Sequence, residues 1–378
     1  MKKLIHVGYL LMILSVSLSC ENGSDSGSTS LPVQSVTWIL EDSLILKSSA
    51  TDTIFTGWPY FLHGHFYLFS FYDYRAFRYD RTGEIQSVIG YGRGKGPGEN
   101  LYIQAITEVD SLVGFFDNWQ QAVITYDQAG NPTSTQRLSS TIRDETYYVH
   151  ADNRVFNFYR NRFYNYVGSG EVNYDQPGYY DGPYLGVHTL DGQLLRVSGK
   201  RAESYQAHHI PYVHTVNVAV DSFRERILVS QPASHTWEVY DLDGELIAQY
   251  GKPGQYIADQ EWPDFNGTVS KARQRFIDLK YNTPEYGFLC ALGSEYVIRS
   301  YRRGVADHEG LVNFLDKPHY LQVYDADGTL LADDPAPDFS FMPVGVEDGA
   351  LWVNLARSYD VEDYTYTLYR YRLVVEAK

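Results

Sequence analysis

Arginine set beside aromatic residues recurs at the ends of short apolar runs in this chain. The segments FYDYRAF (71–77), DNWQQ (117–121), RNRFYNY (160–166), ASHTW (233–237), RSYRRG (299–304) and LARSYD (355–360) each follow a strand-like stretch. Between them they carry Arg75, Trp119, Arg160, Arg162, Arg299, Arg302 and Arg357. A guanidinium is a planar fork that suits carboxylate, sulfate or phosphate. A Tyr or Trp ring beside it offers a platform for a sugar. The plainer reading of the same residues is a set of solvated turns holding ion pairs within each sheet.

Two other groupings could do chemistry. The glycine-rich stretch IGYGRGKGPGEN (89–100) contains Arg93 and Lys95 and could cradle an anion through backbone N–H groups. It is not a nucleotide phosphate loop, because Gly96 stands where Ser or Thr must follow the Lys. Its simpler role is a crossing between sheets that needs glycine for sharp turns. His208, His209 and His214 form a weak candidate zinc trio, with no Cys or acidic spacing to complete a known pattern. His63 and His65 alternate in a strand. No Gly-x-Ser-x-Gly elbow, His-Glu-x-x-His or cofactor motif is present, so a metal and a cofactor are both expected to be absent.

The elements that must position these residues are written in a repeated phrase. An apolar run leads to Asp-Gly or a close variant, and a second run follows: AFRYDRTGEIQSVIG, AVITYDQAGNPTSTQRL, YLGVHTLDGQLLRVSG, TWEVYDLDGELIAQYG and YLQVYDADGTLLADDP. Each reads as a hairpin with Gly at the positive-φ position: Gly83, Gly130, Gly192, Gly244 and Gly328. Calcium at these tips is disfavoured, since the Gly falls at the fourth place rather than the sixth. Each copy has an earlier strand, among them FLHGHFYLFS (61–70), SLVGFFD (111–117), RVFNFYR (154–160) and RILVS (226–230). A sixth unit, ALWVNLA (350–356) with YTYTLYRYRLVV (364–375), lacks the Asp-Gly turn. Sheets repeated this way imply an all-β, six-bladed β-propeller. SVTWILEDSLIL (35–46) is an orphan strand placed to close the last blade. Residues 257–284 are an insertion whose VSKARQRFIDLKY fits either a short helix or an outlying strand.

Composition fits this fold. Of 378 residues, 34 are Tyr and 18 Phe, and rings suit half-buried sheet positions. The net charge of −16 argues against nucleic acid as a partner. Lys2 and Lys3 precede an apolar stretch (7–18) too short to span a bilayer, and small residues lead to Cys20. This resembles a bacterial lipoprotein signal, with Ser17 where Leu is usual. The expected division is a signal peptide at 1–19, a polar tether at 20–34 and the propeller at 35–378, with Cys20 lipidated. Cys290, the other cysteine, sits in GFLCALG and reads as a buried, inert thiol.

With the lipoprotein signal and the repeats, the Gly-Pro-Gly-Glu loop at 96–99 is similar to that of the six-bladed propeller lipoproteins of Bacteroidetes, an NHL-like group mostly of unknown function. QYGKPGQY (249–256) and SGKRAESY (198–205) are worn copies of it. The resemblance implies a lipid-anchored propeller at the outer membrane, facing either side. The expected function is a ligand-binding or protein-interaction module of the cell envelope, with an anionic glycan or an envelope protein as partner. The alternative is an enzyme of the axial channel, a lyase or hydrolase, metal-dependent or not.

Overall fold

The computed structural model describes residues 35–47, 58–62, 64–70, 74–94, 96, 98–150, 156–176, 178–305, 317–338, 341–360 and 365–376, with backbone only at 356–360. The signal peptide, the tether, Cys20, His63 and Lys95 lie outside them, as does the side chain of Arg357.

Among the described residues, twenty-six strands form six antiparallel sheets. Strand β1 (Ser35–Lys47) is taken up last, as described below. The first blade runs from the axis outward as β2 (Trp58–Leu62), β3 (His65–Ser70), β4 (Arg75–Tyr79) and β5 (Ile85–Ile89). The second is β6 (Ile103–Val109), β7 (Leu112–Asp117), β8 (Ala122–Tyr126) and β9 (Pro132–Arg137). In the third, β10 (Thr141–Ile142) pairs antiparallel with the first piece of a divided inner strand, β11 (Glu145–His150) and β12 (Asn157–Tyr159). Both inner pieces pair with β13 (Arg162–Ser169), followed by β14 (Leu185–Thr189) and β15 (Leu194–Ser198). The fourth is β16 (Asn217–Asp221), β17 (Arg226–Ser230), β18 (Trp237–Asp241) and β19 (Leu246–Tyr250). The fifth is β20 (Glu285–Leu292), β21 (Tyr296–Arg302), β22 (His319–Asp325) and β23 (Leu330–Pro335). The sixth is β24 (Met342–Glu347), β25 (Ala350–Asp360), β26 (Thr365–Glu376) and, outermost, β1.

That last pairing closes the ring. β1 zips along β26 from Ser35–Glu376 to Lys47–Thr365, with one bulge at Leu40/Asp42. The innermost strands touch in sequence from β2 to β6, β12, β16, β20, β24 and back to β2. The chain is therefore a six-bladed β-propeller whose N-terminal strand completes the final blade, as the repeat predicts.

The core is divided the same way. Each pair of neighbouring blades shares one buried cluster: Phe69 and Phe115 between the first two, Phe116 and Phe163 between the next. Tyr164 and Tyr240, Trp237 and Tyr324, Ile298 and Val353, and Phe66 and Trp352 mark the others. Middle strands such as β8 are buried at every position, whereas outer strands such as β9 are largely exposed. This is why the apolar runs of the repeat's first half are nearly continuous and those of its second half alternate.

The Asp-Gly tips work as turns and as spacers. Asp80, Asp127, Asp241 and Asp325 each accept two backbone N–H groups across their own turn with one carboxylate oxygen. In the third blade Thr189 takes this role for Gln193. Gly83, at φ 80°, lies so close to β1 that an added Cβ would stand 1.8 Å from the Ile45 carbonyl oxygen. Gly is therefore demanded twice, by its backbone angle and by the preceding blade.

Three connections over the third, fourth and fifth blades build a cap with its own core. They are 170–184, 199–216 with helix α1 (Glu203–Ala207), and 251–284 with helix α2 (Arg273–Asn282). Tyr179, Tyr180, Tyr205, Tyr212, Trp262 and Phe265 pack there against Tyr286 and Tyr301 of the fifth blade. The 257–284 insertion thus contains a helix.

Candidate functional site

Propeller connectivity defines two faces. One carries the tight turns joining first to second strands and the Asp-Gly tips. The other carries the second-to-third loops and the blade-to-blade crossings, and it is the face to which the sequence assigns all six turns that follow the earlier strands.

Over the second blade this crossing face exposes an ordered aromatic pair. Trp119, in the β7–β8 turn, is 72% exposed, and Tyr102, at the end of the crossing into β6, is 42% exposed. Their ring centroids are 6.4 Å apart at an interplanar angle of 41°. One fully buried carboxylate fixes both. Asp117 Oδ2 accepts the backbone N–H groups of Leu101 and Tyr102, and Oδ1 accepts those of Trp119 and Gln120 at 3.0 Å each. The Gln120 side-chain amide adds a fifth donor at 2.9 Å. An Asp at the start of a turn makes such bonds by local geometry. Here it also reaches across to the crossing, so two loops hold their rings as one unit.

Beside this pair lies the glycine-rich crossing. Arg93 is exposed, is backbone-paired with Asn100 two residues before Tyr102, and carries its guanidinium 5.7 Å from the Tyr74 ring centre. Tyr91 is exposed as well. The backbone N–H groups of the loop point inward: Gly94 to the Asn100 carbonyl, Asn100 to the Gly92 carbonyl and Gly96 to Glu99 Oε2 at 2.7 Å. Tyr126 locks the loop from below by donating to the Gly98 carbonyl, and burial pushes its own hydroxyl up to about 12. These amides are engaged inside the loop, which matches a crossing rather than an anion cradle. Arg75 is exposed at the start of β4 on the same face.

On the fifth blade Arg299 is fully buried and Arg302 is largely enclosed. Arg299 donates from Nε to Ser230 Oγ and from its two terminal nitrogens to the carbonyls of His235, Ser234 and Thr236, with the Tyr286 ring centre 3.7 Å away. It is a clamp on the β17–β18 loop. Arg302 bonds Glu285 Oε1 at 3.0 Å, and Lys317 Nζ stands 3.6 Å from the same oxygen while donating to the carbonyls of Lys280 and Thr283. Burial alone would raise the Glu285 carboxyl, but Lys317, Arg302 and Lys280 hold it down at about 2. Burial in turn pulls the Lys317 ammonium down to about 8. This cluster neutralises itself.

The third blade departs from expectation. RVFNFYR reads as a middle strand, yet Asn157–Tyr159 continues the inner strand, and the middle strand is β13. Arg160 and Asn161 form its tight turn, at φ 49° and 60°. Arg160 and Arg162 therefore sit on the opposite face from Trp119. There Arg160 pairs with Glu225, and Arg162 pairs with Asp243 of an Asp-Gly tip at 2.6 Å. The cause is the 170–184 insertion, which delays the next strand and hides the true second-to-third loop.

The three histidines diverge. His208 faces Asp264, with Nδ1 3.6 Å from its carboxylate. His209 Nε2 meets the Asp175 carbonyl, and His214 Nδ1 meets that of Pro211. Burial first, then the nearby cations Arg201 and Lys280, drives His214 down to about 4. Among the described residues no group of three or more His, Cys, Asp or Glu is placed to hold a metal ion. Cys290 lies half-buried on β20, its thiol pushed up to about 12 by burial.

Tyr102 and the role of Asp117 were not readable as site features in sequence. The signal present was an Asp two residues before a Trp at a turn, but nothing in sequence says that the turn meets a crossing.

No protein-family model and no curated protein matches the chain. Among solved structures it is similar to a member of the DUF4221 family from Bacteroides vulgatus, at 10% identity, covering 91% of this chain and 99% of that one with a TM-score of 0.68. It is also similar to a candidate exported protein from Bacteroides fragilis, at 11% identity, covering 90% and 95% with a TM-score of 0.54. At these identities the likeness shows the fold. The likeness to these two Bacteroides proteins is therefore one of fold. Among the described residues no helix is long and apolar enough to cross a membrane.

Proposed function

We propose that this chain is a ligand-binding propeller of the bacterial envelope, lipid-anchored through Cys20, that takes an acidic glycan on its crossing face. Trp119 and Tyr102 offer their rings to the C–H faces of sugar units, and Arg93 pairs with a carboxylate or sulfate on the chain. One observation carries the reading. Two large rings are left in water on loops that a single buried carboxylate holds rigid. A Trp exposed to this extent buries little apolar surface in the free protein. Fixing it in place lowers the ordering entropy that a ligand must otherwise overcome. Buried aromatic and Arg anchors carry most binding energy where partners meet.

The test is calorimetric titration of acidic and neutral oligosaccharides into wild type, Trp119→Ala and Arg93→Ala. The expected result is binding of acidic chains by wild type, lost in Trp119→Ala and weakened about tenfold in Arg93→Ala. Equal behaviour of all three proteins sinks the glycan reading.

A further inference from the structure

Asparagine followed directly by glycine occurs twice in the chain, at Asn22–Gly23 and at Asn266–Gly267. The second pair is exposed, in the cap segment 251–284. On its N-terminal side the chain is pinned. Tyr212 donates to the Pro263 carbonyl at 2.6 Å, Asp264 Oδ1 accepts the His209 N–H at 2.7 Å, and the Phe265 N–H donates to the His209 carbonyl at 2.7 Å. On its C-terminal side the Val269 N–H donates to Asp175 Oδ2 at 3.2 Å, and the Lys271 and Ala272 N–H groups donate to the Thr268 carbonyl at 3.0 Å.

Between these anchors nothing engages the pair. Among the described residues, neither the Asn266 side-chain amide nor the Gly267 N–H makes a hydrogen bond. Gly267 has φ 117°, and the place where a Cβ would stand is open, the Ala272 Cβ being the nearest atom at 3.7 Å. A glycine here leaves its nitrogen unshielded by any side chain. Covalent connectivity puts that nitrogen within reach of Asn266 Cγ, because bonding the two closes a five-membered ring.

Other asparagines of the loops differ in one of these respects. Asn100 gives its side-chain amide to the Tyr126 hydroxyl at 2.8 Å, and Leu101 follows it. Asn118 Oδ1 accepts from Gln121 at 3.1 Å, and the bulky Trp119 follows. Asn131 precedes Pro132, which has no N–H to lose. Asn266 combines a free side chain, a free following N–H and a following glycine.

We infer that Asn266 is a site of spontaneous deamidation, with water as the only co-reactant. The Gly267 nitrogen attacks Asn266 Cγ. The N–Cγ bond forms, the Cγ–Nδ2 bond breaks, and ammonia leaves with the proton that Gly267 gives up. Water then opens the resulting succinimide at one of its two carbonyls. Opening at Cγ restores the main chain and leaves aspartate. Opening at the Asn266 main-chain carbonyl leaves Gly267 bonded to Cγ, which is isoaspartate. Either product places a new negative charge two residues from Asp264. Isoaspartate also adds one atom to the main chain between the Phe265 and Val269 anchors. Phe265, 1% exposed and edge-on to Phe276 with ring centres 5.8 Å apart, is the core residue that this lengthening reaches first.

The experiment stores the full folded chain warm at mildly alkaline pH, then maps its peptides by mass spectrometry and counts isoaspartate with an isoaspartate-specific methyltransferase. Expected is a gain of about 1 Da on the Asn266 peptide, the change from amide to acid, with methyl acceptance rising alongside it. The peptides of Asn100, Asn118 and Asn131 should keep their mass. Asn266→Gln, which lengthens the side chain, and Gly267→Ala, which shields the nitrogen, should each remove the gain at this position. Exchange of the Phe265 amide hydrogen should be faster in stored wild type than in fresh protein, and unchanged by storage in Asn266→Gln. An Asn266 peptide that keeps its mass overturns the inference, as does an equal gain at Asn118 or an undiminished gain in Gly267→Ala. Unaltered Phe265 exchange in the isoaspartate form overturns its reach into the cap core.

Discussion

Over the fourth and fifth blades, Arg299 hands its donors to a loop of carbonyls, while Arg302 and Lys317 close on Glu285. Over the second blade, Asp117 gathers four backbone N–H groups and leaves the rings of Trp119 and Tyr102 outside. Both regions are rigid and built around a buried charge. In the first, Arg299, Arg302, Lys317 and Glu285 meet counter-charges or carbonyl acceptors within the fold, so these charges have little left to offer a ligand. In the second, the charge serves to hold groups that touch nothing else of comparable size. An arginine near an aromatic ring therefore says little about binding. What matters is whether its partners are already inside the protein.

The comparison can be tested from its largest expected effect downward. Glu285→Gln leaves Arg302 and Lys317 buried without their counter-charge and should cost about 3–5 kcal/mol in chemical denaturation. The wild-type pH profile reports the same cluster. The Glu285 carboxyl is held at about 2 against an ordinary 4.5, so its contribution is complete above pH 4.5 and is lost as pH falls toward 2. That loss should amount to about 3 kcal/mol and be missing from the Glu285→Gln profile. Asp117→Asn turns an amide N–H toward donors and should cost about 1–3 kcal/mol. It should also weaken glycan binding without touching the ligand. Trp119→Ala should change stability by less than about 0.5 kcal/mol, because the ring is in water, while removing binding. Tyr102→Phe preserves the ring and should alter neither stability nor affinity beyond about twofold. A large stability loss in Trp119→Ala would place that ring with the structural group and erase the contrast.

Much of the fold was legible because its signals are local. The Asp-Gly tips, the apolar run before each and the orphan strand at 35–46 follow from turn chemistry and strand alternation, and they suffice to count blades and close the ring. The third blade was misread where an insertion separated two strands that the pattern needs to be adjacent, and Arg160 and Arg162 went to the wrong face with it. The site was less legible for a related reason. The sequence shows Arg299 and Arg93 as the same residue type near aromatic neighbours. Only packing reveals that one is enclosed by Ser230, Ser234 and His235 while the other is exposed beside Tyr74. Asp117 bonding to Leu101 and Tyr102 is likewise a contact between loops.

The most direct test uses 5-fluorotryptophan incorporated throughout the chain, with the Trp119 resonance assigned by its absence from Trp119→Phe. On addition of an acidic oligosaccharide, ¹⁹F spectra should show the Trp119 signal moving in proportion to occupancy, while the buried Trp237 and Trp352 stay fixed. A saturable ligand that leaves the Trp119 signal in place would contradict the central claim.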